Sequence, residues 1–83
     1  MPLLIDVRTE EEFEERHAPG ALNIPVDEIC DGKLGILESV PKDTRIELYC
    51  RSGKRSETAK EALQLLGFTD VTNLGGLTDV EDV

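Results

Sequence analysis

Arg45-Ile46-Glu47-Leu48-Tyr49-Cys50-Arg51-Ser52-Gly53-Lys54-Arg55-Ser56 carries the chain from a strand pattern into a helix pattern. Arg45 to Tyr49 alternates polar and apolar at first, then runs apolar into Cys50, which predicts a strand. From Ser56 to Leu66 the residues Ala59, Ala62, Leu63 and Leu66 recur at i, i+3, i+4 and i+7, one continuous apolar helix face. Gly67 stops that helix by taking a left-handed conformation. Phe68 follows where a Schellman motif places a hydrophobic contact, expected on Leu63.

Working outward, Leu3-Leu4-Ile5-Asp6-Val7 reads as a short buried strand. Thr9 with Glu12 forms a capping box, and Glu10, Glu11 and Glu12 suit the positive end of a helix dipole. Pro19-Gly20 ends that helix early. Ala21 to Ile24 is a second strand closed by Pro25. Asp27 is expected to cap a helical stretch toward Val40, which Gly32 and Gly35 break into two short turns. Val71 to Leu74 is a last strand, followed by Gly75-Gly76 and an acidic tail. The alternation of strand and helix predicts an α/β fold, a small parallel sheet of about four strands flanked by helices. In such sheets the ligand sits at the carboxyl ends of the strands, where Cys50 falls.

The 83 residues are expected to form one domain over 1–83. The net charge of −9 argues against nucleic acid as a partner. No apolar run is long enough for a membrane helix, and no signal-peptide pattern precedes the first strand. Cytoplasm is therefore the expected compartment, with a periplasmic protein trimmed of its signal as the alternative. Cys30 and Cys50 are too few for a disulfide scaffold. With no Cys-x-x-Cys pair and one histidine, neither metal nor cofactor is expected. Nothing reads as an oligomer interface, so a monomer is expected.

The loop is where chemistry concentrates. Three of the nine basic residues, Arg51, Lys54 and Arg55, lie between Cys50 and Ser56 with no acid among them. A loop at a helix start can turn its N–H groups inward as an anion cradle, and Gly53 permits the positive φ such a turn requires. Each effect favours a thiolate at Cys50. The plain alternative is a buried core cysteine beside a solvated helix start. Positive residues at a helix N-terminus oppose its dipole, however, and that wrong sign points to a bound anion.

These residues resemble the rhodanese family, the thiosulfate sulfurtransferases, in its short single-domain form. Ile5-Asp6-Val7-Arg8 is similar to the family's first-strand signature, and His17-Ala18-Pro19-Gly20-Ala21-Leu22-Asn23-Ile24-Pro25 to its H-x-x-G-A-x-N-[IV]-P segment. Cys50 to Ser56 is similar to the active-site loop C-x-x-G-x-x-[ST], and Gly67-Phe68, Val71 and Gly75-Gly76 to the closing pattern. The resemblance implies a ping-pong reaction. Cys50 takes the outer sulfur of thiosulfate, releases sulfite and becomes a persulfide, and a thiophilic acceptor such as cyanide or a thiol removes it. It also implies that Arg51, Ser52, Gly53, Lys54, Arg55 and Ser56 hold the donor and the persulfide, and that Asp6 and Arg8 support the loop. A simple salt bridge between those two is the alternative. The chain departs from the family in carrying Leu77-Thr78-Asp79-Val80 after Gly76, with no tryptophan.

Two rivals belong to other classes. A phosphatase or arsenate reductase needs C-x5-R, but the sixth residue after Cys50 is Ser56. A weakly catalytic sulfur carrier or partner-binding module shares the fold, which does not fix function. Cys30 sits among Asp27, Glu28 and Asp31, whose charges disfavour a thiolate and a resolving role. His17 is expected to hydrogen-bond at a turn, and the glutamates at 10–15 to form a solvated helix face.

Overall fold

The computed structural model describes residues 2–77. Strands and helices alternate as β1 (Leu3–Asp6), α1 (Glu10–Glu15), β2 (Leu22–Asn23), α2 (Val26–Cys30), a 3-10 turn (Gly35–Ser39), β3 (Ile46–Cys50), α3 (Lys54–Leu65) and β4 (Val71–Gly76). The strands form one parallel sheet in the order β2-β1-β3-β4. This is the α/β architecture expected from the alternation.

The chain leaves β1 toward one edge to make β2 and later returns to the other side of β1 to make β3. Right-handed crossovers running in opposite directions put their helices on opposite faces of the sheet. The side-chain alternation agrees. Ile5, Val7, Ile46, Leu48, Cys50 and Val71 share one core with Ile29 of α2 and with Ala59 and Leu63 of α3. Leu4, Tyr49 and Leu74 share the other with Ala18, Ala21 and Phe13 of α1. The carboxyl ends of β1 and β3 therefore meet at a topological switch point, between the N-termini of α1 and α3.

Local sequence explains the helix ends. Thr9 Oγ1 accepts the Glu12 N–H at 3.2 Å and Glu12 Oε1 accepts the Thr9 N–H at 3.1 Å, the expected capping box. The Phe68 N–H donates to the Leu63 carbonyl and the Gly67 N–H to the Gln64 carbonyl, a Schellman end with Gly67 at φ +103°. Leu63 and Phe68 lie in one core cluster.

Several expectations need correction. The residue before α2 is Pro25, and no side chain caps that helix. Asp27 lies inside the first turn, where its charge still suits the dipole. The last helix begins at Lys54, because Gly53 at φ +91° turns the chain directly into it. Its apolar face ends at Leu63: Leu66 forms the C-cap and is 43% exposed. The final strand runs on through both glycines, and the acidic tail lies outside the described residues.

Candidate functional site

Cys50 closes β3 and is fully buried at the floor of the loop that enters α3. Its Sγ accepts the Gly53 N–H at 2.9 Å. Burial pushes the thiol pKa up. The Ser56 hydroxyl and the amides of Ser56, Ser52 and Gly53 outweigh that and hold it below the ordinary value. Hydrogen bonds to the charged form, at the N-terminus of a twelve-residue helix, are what favour the thiolate. Ser56 Oγ is itself buried and has no well-aligned hydrogen bond, so its proton remains available to the sulfur.

The loop is shaped by a residue that sequence reasoning missed. Asn73 Nδ2 donates to the Gly53 carbonyl at 2.9 Å and to Glu57 Oε1 at 3.1 Å, while its Oδ1 accepts the Gly75 N–H at 2.9 Å. The β3–β4 register slips between Leu48/Asn73 and Cys50/Gly76, so β4 carries one extra residue there. Gly75 turns through φ +98° inside that bulge. A Cβ at Gly53 would lie 3.3 Å from Gly75 Cα, so the cradle and the bulge are in backbone contact.

The predicted cations do not act alike. Arg51 and Lys54 are exposed at the rim, as is Ser52. Arg55 is instead turned to Glu12, with Nη1 to Oε1 at 2.7 Å and Nη2 to Oε2 at 3.1 Å. Arg55 pulls the Glu12 pKa down to about 2. Glu12 is therefore part of the site, not merely of a solvated face.

Asp6 and Arg8 form a buried pair. Arg8 Nε donates to Oδ1 and Oδ2 at 3.0 Å each and Nη2 to Oδ2 at 2.7 Å. Nη2 also donates to the Arg16 carbonyl. The pair is a salt bridge, and Asp6 is also tied to β3 through Tyr49. The Tyr49 hydroxyl donates to Asp6 Oδ2 at 2.8 Å and accepts the Ala18 N–H at 3.0 Å. Burial raises the Tyr49 pKa to about 12, so the hydroxyl keeps its proton. Asn23 Nδ2 donates to the carbonyls of Asp6 and Arg8 at 3.0 Å each, fixing the end of β1. Tyr49 and Asn23 are further supports that reading for reactive residues did not single out.

A cavity of about 270 Å³ opens beside the loop, lined by Arg8, Glu12, Glu15, Arg16, Arg51 and Leu77. A second depression on the other side is lined by Ser52, Gly53, Lys54, Glu57, Asn73 and Gly75 among others. Cys30 is exposed and unbridged in a separate cleft with Leu65 and Leu66. His17 Nδ1 lies 2.8 Å from the Phe13 carbonyl and its ring stacks on Phe13 at 3.8 Å, the structural role expected of it. Among the described residues no cluster of three or more His, Cys, Asp or Glu could hold a metal ion. No helix among them is long and apolar enough to cross a membrane.

Comparison with known proteins agrees with this geometry. The model of the rhodanese-like domain matches residues 1–82. The thiosulfate sulfurtransferase PspE of Escherichia coli K12 is 43% identical over 77 residues, covering 92% of this chain and 71% of that protein. Other relatives are longer: the chain spans 55% of YqhL of Bacillus subtilis, at 38% identity, and 19% of the adenylyltransferase and sulfurtransferase uba4 of Ogataea parapolymorpha, at 36%. The solved structure of a rhodanese with anions from E. coli superposes with a TM-score of 0.84 at 38% identity, over 96% of this chain and 92% of that one. The human single-domain sulfurtransferase TSTD1 gives 0.76 at 32% identity, over 90% and 75%. A parallel sheet with a thiolate cradle at its switch point, matched over nearly its whole length by these proteins, places the chain in the rhodanese-like family of sulfurtransferases.

Proposed function

We propose that the protein moves sulfane sulfur from thiosulfate to a thiophilic acceptor through a persulfide on Cys50. The observation that carries this is the Cys50 sulfur. It accepts the Gly53 N–H at 2.9 Å at the head of α3, and its pKa is held below the ordinary thiol value despite burial. The Cys50 thiolate attacks the outer sulfur of thiosulfate, the S–S bond of the donor breaks, and its electron pair leaves on sulfite. The persulfide anion then lies among the loop amides, where the Ser56 hydroxyl is a donor without another well-aligned partner. In the second half-reaction cyanide or a thiolate attacks that outer sulfur. The bond to Cys50 breaks and its pair returns to Cys50 as thiolate, so the two halves alternate as a ping-pong cycle. The lowered pKa of Cys50 favours the ionised nucleophile, so the scheme assigns no general base.

Arg51 and Lys54, exposed at the rim, supply attraction for the anionic donor. The name of PspE supports thiosulfate as that donor. Phosphoryl chemistry fits less well: Arg55 is one residue short of the phosphate-clamping position and is bound to Glu12. The test is intact mass before and after thiosulfate, with Cys50→Ser beside the parent. A gain of one sulfur atom in the parent alone, discharged by cyanide, is the expected result. No gain in the parent would move the function to partner binding, and a gain in Cys50→Ser would remove Cys50 from the mechanism.

A further inference from the structure

Glu12 holds two roles that reach across the switch point. Its Oε1 accepts the Thr9 N–H and hydroxyl at 3.1 Å each, closing the α1 capping box. The same carboxylate grips the guanidinium of Arg55, the second residue of α3, in a bidentate pair. That fork is the geometry with which an arginine receives an oxyanion. Arg55 stands on the first turn of the helix that the Cys50 loop enters, and Glu12 itself lines the cavity with Arg8, Glu15, Arg16, Arg51 and Leu77. Glu12 thus stands on the cavity wall and carries the charge that neutralises Arg55.

We propose that Glu12 is a specificity-determining residue that sets donor affinity. By neutralising Arg55 it keeps the site's hold on a dianion weak enough that thiosulfate and the departing sulfite exchange freely. This rests on the sulfurtransferase function proposed above. A carboxylate facing the anion path would be plainly unfavourable for donor capture alone. It is useful where the first product is also an oxyanion and must leave before the acceptor enters.

The test compares the parent with Glu12→Gln, Arg55→Ala and the double variant. Gln retains the capping box, so Glu12→Gln removes the charge and keeps the helix start. The charge of the Glu12–Arg55 site is 0 in the parent, +1 in Glu12→Gln, −1 in Arg55→Ala and 0 in the double variant. For a partly exposed pair the KM for thiosulfate is expected to fall about three-fold in Glu12→Gln and to rise by a similar factor in Arg55→Ala. The double variant returns toward the parent. Sulfite inhibits Glu12→Gln more strongly, and its KM depends more steeply on ionic strength. An unchanged or raised KM in Glu12→Gln overturns the proposal; a double variant that tracks Arg55→Ala also overturns it and makes Arg55 a direct donor ligand. If the parent gains no sulfur from thiosulfate, the function has failed instead. Thiosulfate binding to Cys50→Ser, measured by calorimetry with and without Glu12→Gln, then decides the matter: tighter binding supports the role of Glu12 and equal binding removes it.

Discussion

Asn73→Ala is expected to weaken the fold and the reactivity of Cys50 together. Three hydrogen bonds disappear: those to the Gly53 carbonyl, the Gly75 N–H and the Glu57 carboxylate. The Glu57 bond is exposed and contributes least. The two backbone bonds are partly buried and contribute about 1 kcal/mol each, so the loss should be about 2 kcal/mol. Against a total of roughly 4–12 kcal/mol for a chain of this length, that shift is easily read in urea. The second effect is local. Gly53 presents its carbonyl, in the peptide to Lys54, to Asn73, while its N–H, in the peptide from Ser52, holds the Cys50 sulfur at 2.9 Å. Releasing the carbonyl frees the φ and ψ of Gly53, through which the neighbouring N–H is aimed at the sulfur; the thiol pKa rises, and alkylation by iodoacetamide at neutral pH slows about three- to ten-fold. Both readouts are taken on a Cys30→Ser background, so that Cys50 alone is titrated. A stability loss below about 0.5 kcal/mol would refute the three-bond count. A full loss of stability with an unchanged alkylation profile would show that Asn73 braces only the β4 bulge and does not aim the Gly53 amide.

Tyr49→Phe removes the acceptor of the buried Ala18 N–H and a donor to Asp6, and should lower stability by about 2 kcal/mol in urea at constant m. A loss near zero would mean that the Asp6–Arg8 pair needs no lock from β3. The pH profile of Cys50 alkylation in Cys30→Ser should turn over below the ordinary thiol pKa. Because the folded pKa is the lower one, the linked stability is fully present above the unfolded thiol pKa and is lost as pH falls through the folded value. A profile centred on the ordinary thiol pKa would remove the cradle's effect on the sulfur.

What was legible in the sequence was local. The Thr9–Glu12 box, the Gly67 stop, the strand into Cys50 and the glycine that turns the loop each lie within a few residues of the signal that marks them. Where a local signal had two uses, reading it alone went astray. Leu66 continues the helical period, yet the Schellman turn has already begun at that residue, so it faces solvent. The supports of the site were hidden because they join distant positions. Asn73 reaches Gly53 over 20 residues, Tyr49 reaches Ala18 over 31, and both Tyr49–Asp6 and Glu12–Arg55 span 43. An asparagine in a strand and a glutamate among glutamates carry no signal of such partners. The crossover directions do, once the sheet order is known, because they bring the starts of α1 and α3 to one edge.

That edge also explains why positive charge stands at a helix N-terminus. Arg55 at the second position of α3 opposes the dipole of its own helix. Taken along the chain alone, the mismatch calls for an external anion. In the fold, an anion is already supplied by α1, whose first-turn acids suit their own dipole, and one of them, Glu12, crosses to Arg55. Asp6 does the same for Arg8 at the end of β1. Arg8 and Arg55 are thus held by internal carboxylates, and Arg51 and Lys54 of the loop stay exposed at the rim. An acidic chain can in this way keep arginines beside its switch point without a large standing positive field. The lowering of the Cys50 pKa comes from amides and a hydroxyl, groups whose strength does not fall with salt as that of exposed charges does. Under the proposed cycle, donor capture at the rim is expected to be the salt-sensitive step, read as a KM that rises with ionic strength, while alkylation of Cys50 is expected to change little.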